Sequence, residues 1–218
     1  MRVFLCAALA MLLAFTPVAA RADDKALSAT KRQTFVVQSC PQSGKATIGS
    51  GVVVARSRDT LTIATAAHAI VPAQTLRILD ITRQAYYEIL GTRVLHEYDI
   101  ALIRVRAQMH FHISPVIIAE AESNEPVWVW GHPPDAFWVV ATGSVIDTHA
   151  QIPGREGIPR ITIACATCTH GDSGSGVFDA RGRLLGILTH GWTDATGSPL
   201  FLEVEPATLL EQELLAAS

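Results

Sequence analysis

A succession of short apolar runs separated by turn signals constrains this chain more than any other feature. They fall near 48–55, 60–66, 75–81, 86–95 and 100–105, and again near 126–130, 138–147, 160–165, 174–179, 184–190 and 200–204. Each is rich in Val, Ile, Leu, Thr or aromatic residues, the composition of a pleated, half-buried surface. Several strands at such spacing argue for a sandwich or barrel. The stretch from Pro206 onward reads differently. Pro206 suits a helix start, and Leu209, Leu210, Leu214 and Leu215 form an apolar stripe, so a closing helix is expected at about 206–216. With 218 residues, no internal repeat and no low-complexity tract, one compact unit is expected.

The N-terminus reads as a signal peptide. Met1-Arg2 is basic, residues 3–15 are apolar, Pro17 breaks the run, and Ala20-Arg21-Ala22 offers a small-residue cleavage site before Asp23. The run is too short for a comfortable membrane span. Residues 1–22 are therefore expected to be removed near Ala22, with no stable membrane anchor left, and 23–218 to form a periplasmic or secreted domain. The formal net charge of −3 becomes more acidic once Arg2 and Arg21 leave with the leader. An acidic chain with scattered basic residues has no electrostatic footprint for nucleic acid.

Cys6 also leaves with the leader, so Cys40, Cys165 and Cys168 remain, an odd number where disulfides persist. Cys165 and Cys168 form one candidate disulfide; the alternative pairs Cys40 with one of the two. A redox-active pair lacks the βαβ surroundings it needs. His110-x-His112 has no third and fourth ligand nearby and reads as surface histidines, so no metal and no cofactor is expected. Trp128 and Trp130 share one strand face, where barrel packing is the expected role.

The chemistry concentrates in three places. Thr169-His170-Gly171-Asp172-Ser173-Gly174-Ser175-Gly176 sets a serine among glycines, where a permissive backbone presents amide N–H groups beside one hydroxyl. Ala64-Thr65-Ala66-Ala67-His68 ends an apolar strand in a histidine, and Tyr98-Asp99-Ile100-Ala101-Leu102 heads another with an acid. A serine nucleophile needs a neutral imidazole to take its proton, and that imidazole needs a carboxylate to fix its tautomer. Singly, each has a plainer reading: a core histidine, a strand-start cap, a turn serine. Together, in the order His, Asp, Ser, they point to acyl transfer.

These residues, with Gly49-Ser50-Gly51-Val52-Val53-Val54, Val129-Trp130-Gly131-His132-Pro133 and Leu184-Leu185-Gly186-Ile187, resemble the chymotrypsin-fold serine peptidases, and among them the bacterial trypsin-like and HtrA-type members. The resemblance implies an all-β protein of two packed six-stranded antiparallel barrels with a C-terminal helix. The first barrel would span about 35–115, the second about 124–205, with a crossing segment at about 115–123. It further implies a serine endopeptidase acting on protein or peptide substrates through an acyl-enzyme. Ser173 would be the nucleophile, His68 the general base and then acid, and Asp99 its orienting partner, with the amides of Gly171 and Ser173 as oxyanion hole.

By the same resemblance Thr167 and Cys168 lie at the base of the specificity pocket and Thr189, His190 and Gly191 along its wall. None is acidic, so small apolar P1 side chains are expected rather than Lys or Arg. Acidic P1 is a lesser option if His190 or His170 is protonated. Three features depart from the family pattern. With Ser218 as the last residue, no trailing PDZ domain is expected; no Ile-Val-Gly-Gly stretch exists to supply an ammonium partner for Asp172; and Ser175 stands where glycine is usual. Lys31-Arg32 reads as a solvated surface pair. Two rival readings are a catalytically silent binding module on the same fold and an envelope thiol/disulfide protein using Cys165 and Cys168. No pattern specifies an oligomeric state.

Overall fold

The structure is a computed structural model, and it describes residues 23–41, 45–71, 73–108, 111–133, 136–152, 157–165, 167–196 and 199–215; the expected leader and His110 lie outside them. A helix α1 (Asp24–Gln33) leads into β1 (Thr34–Cys40), β2 (Thr47–Arg56) and β3 (Thr60–Ala66). The one-turn segment Ala67–Ala69 is followed by β4 (Thr75–Asp80), β5 (Ala85–Tyr87) and β6 (Ile89–Leu95). A second such turn, His96–Tyr98, precedes β7 (Ile100–Arg106). After the crossing come β8 (Pro126–Gly131), β9 (Val139–Ala150), β10 (Arg160–Ala164), β11 (Gly176–Asp179), β12 (Leu184–Thr193), β13 (Pro199–Pro206) and α2 (Thr208–Leu215).

Strands β8 to β13 close into a six-stranded barrel in the order β10-β13-β12-β11-β8-β9. The first unit is a curled seven-stranded sheet, β5-β4-β1-β2-β3-β7-β6, where six strands were expected. Its two edge strands, β5 and β6, are separated in the chain by Glu88 alone. The stretch pairs with β4 up to Tyr87 and with β7 from Ile89, and the Glu88 carbonyl accepts the Arg106 N–H at 2.9 Å. One strand bent at a corner thus counts as two, and chain continuity joins the edges of the curled sheet.

The unbroken apolar run of β2 has a physical reason. Alternate side chains face opposite sides of a strand, and both sides here are covered. Val53 joins Phe35, Val37, Ile63, Ile78 and Ile103 inside the first unit. Val52 and Val54 face outward, with Ala64, Ile100 and Leu102, against Trp128, Trp130, Phe178, Leu184 and Ile187 of the second barrel and Leu210 of α2. A third cluster, including Val129, Ile163, Val177, Leu185 and Val204, fills the second barrel. The crossing segment is laced to both units, with Val116 N–H donating to Val53 O at 3.0 Å and Leu184 N–H to Ile117 O at 2.7 Å.

Helix α1 and strand β1 were not among the expected elements. Asp23 caps α1 by accepting the Lys25 N–H at 3.0 Å. Its buried Thr30 hydroxyl accepts the indole N–H of Trp130 at 3.0 Å and of Trp128 at 3.4 Å, so the two tryptophans have the packing role expected of them. Lys31 lies over the rings of Trp130 and Trp138, at 5.5 and 5.0 Å from their centroids, rather than standing in solvent. Helix α2 starts at Thr208; Pro206 still belongs to β13, opposite Gly186. Among the described residues no helix is long and apolar enough to cross a membrane.

Candidate active site

Pairing of β3 with β7 brings Ala66 opposite Ile100, so the residues just past each strand end are neighbours. The Ala67 N–H donates to the Asp99 carbonyl at 2.7 Å and turns the next residue, His68, outward. Asp99 adopts φ 50°, a left-handed conformation that aspartate tolerates better than most residues. Its carboxylate then meets His68 twice: Oδ1 accepts the backbone N–H at 2.9 Å, and Oδ2 lies 2.6 Å from Nδ1. Burial pushes the Asp99 carboxyl up, but the hydrogen bonds and charge of His68 outweigh it and hold the group below the usual range. An ionised Asp99 assigns the ring proton of neutral His68 to Nδ1 and leaves Nε2 as acceptor.

The serine loop is pinned from both barrels. Ser50 N–H of β2 donates to Ser173 O at 2.9 Å, and Gly174 N–H donates to Leu188 O of β12 at 2.7 Å. Only glycine fits at 174, because φ is +84° and a Cβ would lie 2.2 Å from both Ser50 O and Thr65 Oγ1. Gly171 has φ +98°, and a Cβ there would strike the His132 carbonyl at 2.4 Å. The N–H groups of Asp172, Gly174 and Ser175 point inward, to Thr169 O, Leu188 O and Asp172 O. Among the described residues, those of Gly171 and Ser173 have no protein acceptor.

Asp172 finds its partner locally. Its Oδ2 accepts the Thr169 N–H at 2.6 Å, and its other oxygen faces Gly131 so closely that a Cβ on that glycine would overlap it. Burial raises this carboxyl, with the Thr169 N–H opposing. Behind the loop, the Ser50 hydroxyl donates to Gly171 O at 3.1 Å and lies 2.9 Å from Nδ1 of fully buried His132. Ser50 and His132 stood in the quoted motifs, but no sequence signal gave either a role.

The residues expected around the specificity pocket have different surroundings. Thr167 is exposed and Gly191 lies on the exposed end of β12. Thr189 turns into the second barrel, its hydroxyl donating to Glu203 O at 3.3 Å. His190 lies against the His68 pair instead, with Nδ1 3.6 Å from Asp99 Oδ2 and ring centroids 5.1 Å apart. Cys165 and Cys168 are joined, with Cα atoms 5.7 Å apart, and Cys40 is a free thiol. On β10, fully buried Arg160 meets Glu203 and Glu205, an ionic group that nothing in the sequence pattern announces.

Two packed antiparallel β units, with a hydrogen-bonded His–Asp pair on the first and a glycine-flanked serine loop on the second, define the chymotrypsin-like architecture. The family model of the trypsin-like peptidase domain matches residues 49–187. The chain belongs to this family of serine endopeptidases.

Solved structures agree in fold. The active form of the Rv3671c protease from M. tuberculosis superposes with TM-score 0.70 at 19% identity, covering 87% of this chain and 82% of that one. The HtrA-type protease AlgW with a tripeptide gives 0.73 at 17%, covering 88% and 62%. A serine endoprotease from Yersinia pestis gives 0.69 at 19%, covering 87% and 64%. A search of the curated proteins finds no match.

Proposed function

We propose that this protein cleaves peptide bonds outside the cytoplasm through an acyl-enzyme on Ser173. His68 Nε2 takes the hydroxyl proton and later returns it to the leaving amine, while Asp99 holds the Nδ1 tautomer and stabilises the imidazolium that forms. The amides of Gly171 and Ser173 stabilise the oxyanion, a contribution for which one donor is typically worth roughly two to three orders of magnitude in rate. The observation that carries this reading is the 2.6 Å contact of His68 Nδ1 with Asp99 Oδ2. The uncommitted N–H groups of Gly171 and Ser173 support it.

Asp172 is served by the Thr169 N–H, which supports activity without a newly cut N-terminus. With no acidic side chain at Thr167, Cys168, Thr189, His190 or Gly191, we expect small apolar P1 preference; a peptide-library profile dominated by P1 Arg or Lys would sink it. Removal of residues 1–22 on export completes the reading.

The test is labelling of the mature protein with a fluorophosphonate, which reacts only with an activated serine. The parent should label, and Ser173→Ala should not, with kcat falling roughly a millionfold. Replacement of Cys165 and Cys168 by alanine should leave labelling in place. A well-folded parent that does not label would favour a silent binding module.

A further inference from the structure

His190 extends the His68–Asp99 pair into a three-residue cluster, and peptide hydrolysis does not need that third member. One ligand atom from each lies within 4.8 Å of the others. The Asp99 Oδ2 to His190 Nδ1 separation of 3.6 Å is close to that between two ligands of one tetrahedral ion at metal–ligand distances of about 2.0–2.2 Å. The 2.6 Å contact of His68 Nδ1 with Asp99 Oδ2 would have to open by under about 1 Å. The His68 and His190 side chains are 41% and 36% exposed and Asp99 is 13% exposed, while the Nδ1 atom of His190 is buried against the carboxylate, so an ion would enter between the two rings. Two imidazoles and one carboxylate suit late first-row divalent ions such as Zn²⁺, and suit Mg²⁺ or Ca²⁺ poorly.

We propose that the cluster is a reversible inhibitory site for such an ion, bound by His68 Nδ1, Asp99 Oδ2 and His190 Nδ1 with water completing the shell. The inference rests on the peptidase reading for its consequence, though not for the binding itself. On the peptidase reading, neutral His68 carries its proton on Nδ1 and keeps the Nε2 lone pair for the Ser173 proton. Coordination at Nδ1 displaces the proton there and binds the ion through the Nδ1 lone pair so exposed, and the displaced proton passes through solvent to occupy the Nε2 lone pair. The proton count on His68 is unchanged, but Nε2 has become a donor and cannot accept the serine proton. Metal therefore inverts the tautomer that Asp99 otherwise imposes. A second histidine against the carboxylate distinguishes this from a bare His–Asp pair, in which one imidazole and one carboxylate hold an ion weakly.

The experiment uses the full mature chain carrying Cys40→Ser, to remove the free thiol, and Ser173→Ala, to prevent self-cleavage. Zn²⁺ binding is followed by calorimetry and Co²⁺ binding by its visible spectrum. One ion per chain should bind, Mg²⁺ should not compete, and adding His190→Ala should weaken Zn²⁺ at least tenfold. In parallel, the active Cys40→Ser chain should lose fluorophosphonate labelling with Zn²⁺ and regain it with a chelator. Zn²⁺ affinity unchanged by His190→Ala, or labelling indifferent to saturating Zn²⁺, would overturn the proposal while leaving the peptidase reading intact. Failure to label even in chelator, with Co²⁺ still bound through His190, would reject the peptidase reading and retain the metal site.

Discussion

His132 is tied to the serine loop through a single hydroxyl. Its imidazole is fully buried and meets Ser50, whose hydroxyl holds the carbonyl of Gly171. Burial keeps the ring neutral, its pKa pushed down from 6.5 to about 4. The unfolded chain takes up a proton near 6.5 that the native state refuses until about 4. Stability from this residue is therefore complete above the unfolded value, falls as pH drops through that window and levels off below it. The shift amounts to about 3 kcal/mol. His132→Asn keeps a polar partner for Ser50 but does not titrate, so its urea-unfolding free energy should vary less between pH 6.5 and 4 than the parent's. A variant with the parent's slope would assign the acid sensitivity to another group.

At the scale of elements, α1 matters through a single hydroxyl. Thr30→Val fills the same space but leaves the indole N–H groups of Trp128 and Trp130 buried without an acceptor. Each such loss costs about 1–3 kcal/mol, so denaturant melts should show a drop on the order of 2–4 kcal/mol that Thr30→Ser largely avoids. This helix escaped the sequence reading because it is mostly polar and its contribution is tertiary. The strands were legible because apolar runs and turn residues are local signals, and the same holds for His68, Asp99 and Ser173, each marked by a strand end or a glycine-flanked turn. What failed to show were relations between distant segments. The β12–β13 register slips between Leu188 and His190. Around that bulge Thr189 points into the barrel while His190 reaches across to Asp99. No run of residue types announces a one-residue slip.

For the molecule as a whole, the peptidase reading requires that the two β units hold Asp99 and Ser173 in a fixed relation, and Arg160 is a polar strut between those units. It is fully buried on β10, with Nε 3.1 Å from Glu203 Oε1 and 2.7 Å from Glu205 Oε1. Its Nη2 donates to the carbonyl of Glu97 at 3.2 Å, in the turn that presents Asp99 on the other unit. Glu203 also accepts the Trp192 indole N–H at 3.3 Å, on the exposed end of β12. Removing one partner of a buried ion cluster is costly because the others remain charged and desolvated, whereas replacing all of them by well-packed apolar residues of similar volume is often close to neutral. Arg160→Met alone should therefore lose about 3–5 kcal/mol in urea melts. The triple variant Arg160→Met, Glu203→Met, Glu205→Met should recover most of that loss. It should not recover turnover: with the Glu97 carbonyl unanchored, Asp99 and His68 drift relative to Ser173, and kcat should stay reduced roughly tenfold or more, with KM near that of the parent. Stability and kcat returning together in the triple variant would mean that Arg160 only fills and neutralises its site. Stability returning without kcat would mean that the second barrel sets the position of the base on the first.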